Sequence, residues 1–590
     1  MILKALYDYY QRCGNLAPYG MDYKEIPFII VIDYDGHFLR IEDRRIDNKN
    51  AQKFLVVKGM RAGTLPKPYI FWDNVEYVLN YSKANESLSD SDANDQKKIE
   101  ERAEEIAKIE AKNIAFINKC KEISETFPNN QKFKAVCAFY ENNGLESVQK
   151  DPLWNDILKK PTVNISFLID GTDKITAEDD DLRLILSDEN ETFCEDETLP
   201  ICLITGKRGE SVELTSPTMI QGGQATGRIV AFQVNSGYDS YGKTKCFNAP
   251  ISKPAEAAFT TALNSLLAKD SHNKFIIGNR TFVFWASSNS EASIQAEASF
   301  YNFLGFTEND DDPNRRIEEV KRTFNSIYSG STITDSDDRF YILGLAPNAA
   351  RIAVVYWNES PIKAFAAKIL QHFKDMEIID CRNDKKPYFG LHQILASVSL
   401  LGKSSNIQPN LPEAVIKSIL QNTPYPYSLF IACLRRIRAE SGSDFNINIT
   451  RAAIIKAYLN RINNNNKKIS IMIDKGNTNQ GYLCGRLFAT LQYIQNRSTN
   501  NDSIKERYLD AASTTPAAVF STLLNLSAHH FIKLDEGAKV YLEKLESEII
   551  SKISANGFPS HLDIQDQGRF MVGYYHQRQE FFTKKEDKQE

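Results

Sequence analysis

The sequence has no run of the ~18 consecutive apolar residues that a membrane-crossing helix requires, so no span is expected. It has no C-x-x-C pair. Its nine cysteines are odd in number and scattered, which reads as reduced thiols in a cytoplasmic protein. Cys194 and Cys202 stand nearest one another, and the two further ligands a zinc site would need are missing. Histidine is sparse: of the eight present, His529, His530 and His576 have no carboxylate or cysteine at ligand spacing. They read as packing or surface residues, and neither a metal nor a cofactor is expected. An excess of positive charge is also absent. The net charge is −5, so any nucleic-acid binding must come from local patches or from a larger assembly. The opening MILKALYDYYQRC is amphipathic and reads as a short helix, not a secretory signal. What is present is 42% hydrophobic and 11% aromatic residues over 590 positions, enough for two to four folded domains.

The stretch from Arg228 to Leu267 is the most informative. Gly237, four residues, then Gly242-Lys243-Thr244 spell the phosphate-cradling pattern G-x-x-x-x-G-K-T, after a strand-like run Ile229–Val234. Such a loop works only where a helix begins at Gly242-Lys243, so that backbone N–H groups meet the phosphates. Here Pro250 and Pro254 follow, and proline is excluded from a helix interior. Ala249, before Pro250, is pushed toward extended geometry. The helix is therefore predicted from about Pro254 to Ala268. Two readings stand: a nucleotide-binding enzyme using Gly237–Thr244, or a glycine-rich basic loop between strand and helix. Lys207, Arg208, Arg228, Lys243 and Lys245 lie in or beside such loops. Glycines there allow close approach to a phosphate chain, and each cation equally suits an exposed turn.

Along the chain, Phe28–Ile32 and Phe38–Ile41 flank Asp35-Gly36, a hairpin signal. Asp33 and Asp35 read as turn residues before metal ligands. Lys53, Lys58, Arg61 and Lys67 then surround two glycines and two prolines ahead of Trp72-Asp73-Asn74. Asp73 or Asn74 is placed to cap a helix holding Val75, Tyr77, Val78 and Leu79. This is a solvated loop with a cap, or a clamp on a nucleic-acid backbone with an amide for base edges. Residues 83–112 are polar: a linker, then a charged helix with i,i+4 pairs running to about Thr126, with more helix from Gln131 to Leu158. From about Thr162 the pattern turns to strands and turns, including strand pairs around Gly278-Asn279 and around Pro347–Arg351. Beyond residue 360, apolar residues recur at helical spacing, and Asn463–Asn466 with Lys467 and Lys468 mark a boundary. The expected class is α+β, with a mixed N-terminal and middle part followed by an all-helical part ending in a bundle. The expected divisions are 1–160, 161–360, 361–466 and 470–590.

Several patterns resemble one family. They are Ser240-Tyr241-Gly242-Lys243 with Asn248-Ala249-Pro250 and Phe259–Asn264, Trp72-Asp73-Asn74 with Tyr77-Val78-Leu79, Cys202–Gly206, Gly222–Gly227, Arg339–Trp357, and the closing Gln567–Phe570 with Gly573–Arg578. In this order they resemble the Csd-type large subunit of the type I-C CRISPR surveillance complex, Cascade. Asn80 stands where that family has glycine, which leaves the end of its helix in question. The resemblance implies a non-catalytic subunit. Guide-RNA pairing would supply sequence specificity while the protein reads a short motif beside the target and helps open the duplex, a logic shared with Cas9-type complexes. It places motif reading in the N-terminal lobe, hence Lys53, Lys58, Arg61, Lys67 and Asn74. Lys207, Arg208, Gln224, Arg228, Lys243, Lys245, Asn248 and Arg351 become candidates for strand separation or backbone contact. Arg486, Arg569 and Arg578 become candidates along the displaced strand. Implied partners are the guide-RNA-containing backbone subunits, the guide-RNA-binding subunit, a small subunit, target double-stranded DNA and a recruited helicase-nuclease. The small subunit can be an internal product of the same gene. Met472, just after the asparagine-lysine breaker, is the start expected for it. A purely structural ribonucleoprotein subunit is the remaining alternative.

Overall fold

The computed structural model describes all residues except 48–49, 60–65, 86–95, 160–161, 191–197, 233–236, 238, 240, 278, 306–312, 336, 382–389, 442–445, 463–467, 501 and 583–590. Two compact units emerge. The first comprises 13–214 and 232–261; the second comprises 1–12, 215–231 and 262–590. The chain thus passes between them several times.

In the first unit, β1 (Met21–Glu25) pairs antiparallel with β4 (Lys53–Val57) in a two-stranded sheet. β2 (Phe28–Ile32), β3 (Phe38–Asp43), β5 (Trp72–Asn74) and β6 (Asn164–Ile169) form a second sheet in the order β3-β2-β6-β5. All five residues of β2 are buried, as suits a central strand whose two faces are both covered. The β2–β3 hairpin forms as the sequence predicts. Asp33 Oδ1 accepts from the backbone N–H of Asp35 at 3.0 Å and of His37 at 2.8 Å, and Gly36 takes φ +83°. A Cβ at Gly36 would lie 2.5 Å from the Phe139 nitrogen, so packing as well as turn geometry demands glycine. Asp33, Asp35 and His37 offer ligand atoms within 4.8 Å of one another, but Asp33 is already engaged in holding the turn.

The helix Val75–Leu79 is capped by Asn74, and Asn80 ends it at φ +54°. Asparagine tolerates that left-handed conformation better than most residues, so it serves where the resembling family has glycine. The helix expected over Gln131–Leu158 is three pieces, Gln131–Glu141, Gly144–Val148 and Trp154–Leu158. It breaks at Asn143, which sits at φ +54°, and again at Pro152.

In the second unit, β7 (Lys274–Ile277), β8 (Arg280–Ala286), β9 (Arg339–Asn348) and β10 (Arg351–Pro361) form an antiparallel meander in the order β10-β9-β8-β7. Helices follow, among them Ile362–Met376, Tyr427–Ala439, Ile449–Ile462, Gln480–Thr499 and Ile564–Phe582. Strands and helices here share one continuous apolar core running from Phe275 to Tyr575. The bundle after residue 470 is part of it. Asn460 exchanges two hydrogen bonds with the Ile469 backbone, at 2.8 and 2.9 Å, and Ile379 N–H donates to Ile471 O at 3.0 Å. Met472 itself is 57% exposed. Among the described residues no helix is long and apolar enough to cross a membrane.

Candidate nucleic-acid interface

The first unit brings together cations from two stretches that the sequence separates. Residues 198–214 form turns with isolated bridges. Cys202 N–H donates to Lys207 O at 2.8 Å and Gly206 N–H to Cys202 O at 2.9 Å, with Gly206 at φ +73°. This tight turn presents Lys207 and Arg208, both exposed. It is fastened to the chain around Pro250 by Leu203 N–H to Pro250 O at 3.0 Å and Val212 N–H to Ile251 O at 2.9 Å. Burial alone would raise the Cys202 thiol pKa, but hydrogen bonds from Ser252 and Thr205 outweigh it and lower it. That thiol is therefore a structural acceptor that pins the turn to Ser252, whose N–H lies 3.3 Å away.

Opposite stand Gly242, Lys243 and Thr244, followed by a 3₁₀ turn over Lys245–Asn248. Asn248 Nδ2 donates to Lys243 O at 2.7 Å, which folds the loop back on itself. Lys245, at φ +52°, forms an ion pair with Glu213, so much of its charge is answered internally. The two stretches enclose a cleft of about 570 Å³ lined by Arg208, Gly242, Lys243, Pro200, Phe247 and Pro250, among others. A cleft with two cations and apolar walls suits an anionic ligand that also carries flat apolar surface.

No α-helix begins at Lys243: the next one is Lys253–Leu266, and Ala249 is held at φ −135° and ψ 80° ahead of Pro250. The helix end that a nucleotide-binding loop aims at its phosphates is therefore not formed here. Gly237, Gly242 and Thr244 are described, whereas positions 238 and 240 of the motif lie outside the described residues. The strand expected over Ile229–Val234 is not seen among its described members. Instead, Arg228 makes a single parallel bridge to Arg351.

That bridge creates a second basic cluster, in the second unit. Ile352 N–H donates to Arg228 O at 3.1 Å, and Thr218 N–H to Gly227 O at 2.7 Å. The glycine-rich loop is thereby laid beside the β9–β10 turn, with Gln224 exposed in it. Arg351 is exposed at the start of β10, while Arg228 is half-buried with its Nε enclosed and without a hydrogen-bond partner. The bridge brings the backbones of Arg228 and Arg351 side by side.

The other predicted residues disperse. Lys53 is exposed on β4, in register with Glu25. Lys58 and Lys67 are exposed, with Lys58 N–H donating to Gly20 O at 2.7 Å. Arg61 lies outside the described residues. Asn74 Oδ1 accepts from Tyr77 N–H at 3.4 Å, so its carbonyl is engaged as a helix cap. Arg569 is paired with Asp566 at 2.7 Å. Arg578 lines a small cavity of about 150 Å³ with Tyr493 and Phe581.

Arg486 departs furthest from its expected place along a strand. It is 0% exposed, its Nε donates to Gln577 Oε1 at 3.0 Å and its Nη2 lies 3.7 Å from Glu548. The reason is the seam between Gln480–Thr499 and Ile564–Phe582, where Gly481 and Gly485 bring the helix backbones together around it. His576, in the same seam, meets the Tyr482 hydroxyl at 2.9 Å. Burial first, then the charge of Lys456, lowers its pKa to about 3, in keeping with the packing role expected for it.

Sequence reasoning missed two aromatic residues beside the cleft, Tyr241 and Phe247, which are 100% and 42% exposed. Aromatics interleaved with lysines and glycines were the signal available for both. A family model described as CRISPR-associated protein (Cas_Csd1) matches residues 6–582. No curated protein matches the chain.

Proposed function

The chain belongs to the Csd1 family of CRISPR-associated proteins, and on that footing we propose that it is the non-catalytic large subunit of a type I-C Cascade. The family match over nearly the whole chain carries this reading. In it, the protein sits among other CRISPR-associated subunits and a guide RNA, reads a short motif in the target duplex and helps to open it. The exposed cations Lys53, Lys58 and Lys67 and the half-buried Asn74 grip and read the duplex. The Arg208–Lys243 cleft and the Arg228–Arg351 edge hold phosphates as the strands part, a sequence-independent task that suits clustered cations. Cutting falls to a recruited helicase-nuclease. The short chain expected to start at Met472 would supply further copies of the C-terminal helices; N-terminal sequencing of a short co-purifying product tests it, and any other start removes it.

The test of the main reading is binding of target duplexes by the assembled, guide-loaded complex at fixed salt. The duplexes differ only in the base pairs flanking the guide-matched sequence. Lys58→Ala and Lys243→Ala are expected to weaken all duplexes alike and to flatten the salt dependence, each by about one phosphate contact. Asn74→Ser keeps the helix cap and is expected to erase the preference among flanking sequences. Wild-type binding that ignores the flanking base pairs would refute motif reading. Full affinity in both lysine variants would refute the assignment of these cations to DNA.

A further inference from the structure

Tyr241 combines two unfavourable features. Its side chain is wholly in solvent, 100% exposed, and its backbone sits at φ +53°, next to Gly242 at φ +71°. A left-handed backbone is unusual for a bulky residue, and glycine or asparagine would adopt it with less strain. Nothing in the core requires a ring at this position. Strained residues of this kind gather at ligand-binding positions, where the strain holds a side chain ready for use.

The residues that follow supply the context. Gly242, Lys243 and Thr244 line the cleft of about 570 Å³, across from Arg208, with Phe247, Pro200 and Pro250 as apolar wall. A fully exposed tyrosine therefore stands next in the chain to Gly242 and Lys243 of a cleft that also holds Arg208 and a half-exposed second ring. Cations that track a phosphate chain, with aromatic faces on which bases stack, are the two parts of a site for single-stranded nucleic acid. The pairing also explains the need for tyrosine over lysine or glycine at this position. A cation would add to the phosphate grip, and a glycine would relieve the backbone, but neither provides a flat face.

We propose that Tyr241 is a stacking platform for one unpaired nucleobase whose adjoining phosphates lie in the Arg208–Lys243 cleft. The inference rests on the nucleic-acid reading given above and extends it from charge to base contact. The base comes from a strand of the opened target or from the guide RNA; both present the same face. Stacking is indifferent to base identity, so Tyr241 holds a strand without reading its sequence.

The experiment uses the full guide-loaded complex with Tyr241→Asn, Tyr241→Phe, Arg208→Ala and Lys243→Ala. Asparagine suits the left-handed backbone, so the melting temperature of Tyr241→Asn is expected to equal or exceed that of wild type. Targets carry an abasic site at successive positions of the non-target strand, and a parallel series carries 2-aminopurine there or in the guide. Wild type is expected to bind about five- to a hundred-fold more weakly when the one contacted base is missing, and Tyr241→Asn to lose that discrimination. Tyr241→Phe should retain it. At the contacted position 2-aminopurine emission should rise in Tyr241→Asn, and the strand in which it rises identifies the source of the base. If Arg208→Ala and Lys243→Ala weaken binding but Tyr241→Asn does not, the stacking inference falls while the phosphate cleft stands. If none of the three weakens binding, the cleft itself is misassigned. A Tyr241→Phe variant as impaired as Tyr241→Asn would assign the contact to the hydroxyl and overturn stacking.

Discussion

Replacing Gly485 by alanine tests the seam on which the C-terminal helices depend. In an open helix interior the change is favourable by about 0.8–1 kcal/mol, because alanine loses less backbone entropy than glycine. Here the new Cβ would lie 2.0 Å from the Phe570 carbonyl oxygen, 2.8 Å from its carbon and 2.9 Å from the Tyr574 nitrogen. All three are backbone atoms, so no rotamer change relieves the contact. The helices must separate, and overpacking of that kind costs roughly 1–3 kcal/mol or more. Separation also strains the buried Arg486–Gln577 and Tyr482–His576 hydrogen bonds, each worth about 1 kcal/mol. After the propensity gain is subtracted, a net loss of about 3 kcal/mol is expected. The second unit spans about 360 residues, which at about 2.1 cal/mol/K per residue gives an unfolding entropy near 0.75 kcal/mol/K. The melting temperature of that unit should therefore fall by about 4 °C in differential scanning calorimetry. Gly537→Ala is the control, since its nearest neighbour would be the Asp535 side chain at 3.6 Å and the site is an exposed helix. It should hold or slightly raise the melting temperature. A Gly485→Ala protein as stable as Gly537→Ala would refute the close approach of the two helices.

Asn74→Ala should destabilise the first unit by about 1 kcal/mol through loss of the cap, while Asn74→Ser should be nearly neutral; equal unfolding midpoints in urea would contradict the capping role. His576 adds a pH dependence. Its folded pKa is lowered to about 3, against about 6.5 for the unfolded chain, so the unfolded state binds the extra proton between those values. Stability is therefore full above about pH 6.5 and falls as the pH drops toward 3, and His576→Gln should make the melting temperature less sensitive to acid over that window. Identical acid slopes in wild type and variant would show that His576 is not held neutral.

Local chemistry made part of the fold legible. The Asp35-Gly36 hairpin, the cap at Asn74 and the paired strands around Pro347–Arg351 each follow from residues adjacent in sequence, and the late helices from apolar spacing. The segment around Cys202 was not legible in the same way. Its turns are closed by contacts such as Leu203 to Pro250, between residues far apart in sequence, and no periodicity announces them. Arg486 failed for a different reason. Its charge suggested solvent, but Gly481 and Gly485, four apart on one helix face, were the stronger fact. Small residues at that spacing let a second backbone close over whatever lies between, and a buried cation then needs partners from that neighbour.

The same distinction separates the cations that fold the protein from those left to bind something else. Lys245 faces Glu213, Arg569 faces Asp566 and Arg486 faces Gln577 and Glu548. In each case the chain supplies its own answering group, and an anion from outside would have to displace it. Arg228 has no acidic partner among the described residues, and its in-register neighbour is another arginine. A net charge of −5 means that acidic residues were available to neutralise Arg228. A half-buried arginine whose enclosed Nε has no hydrogen-bond partner, beside an exposed glycine-rich loop, is therefore better explained by an anionic partner than by the stability of the free chain. By the same reasoning, Arg228→Ala should weaken target binding in the assembled complex more than Arg569→Ala does, although both remove one positive charge. Equal losses would mean that overall charge, not the placement of unanswered cations, governs binding.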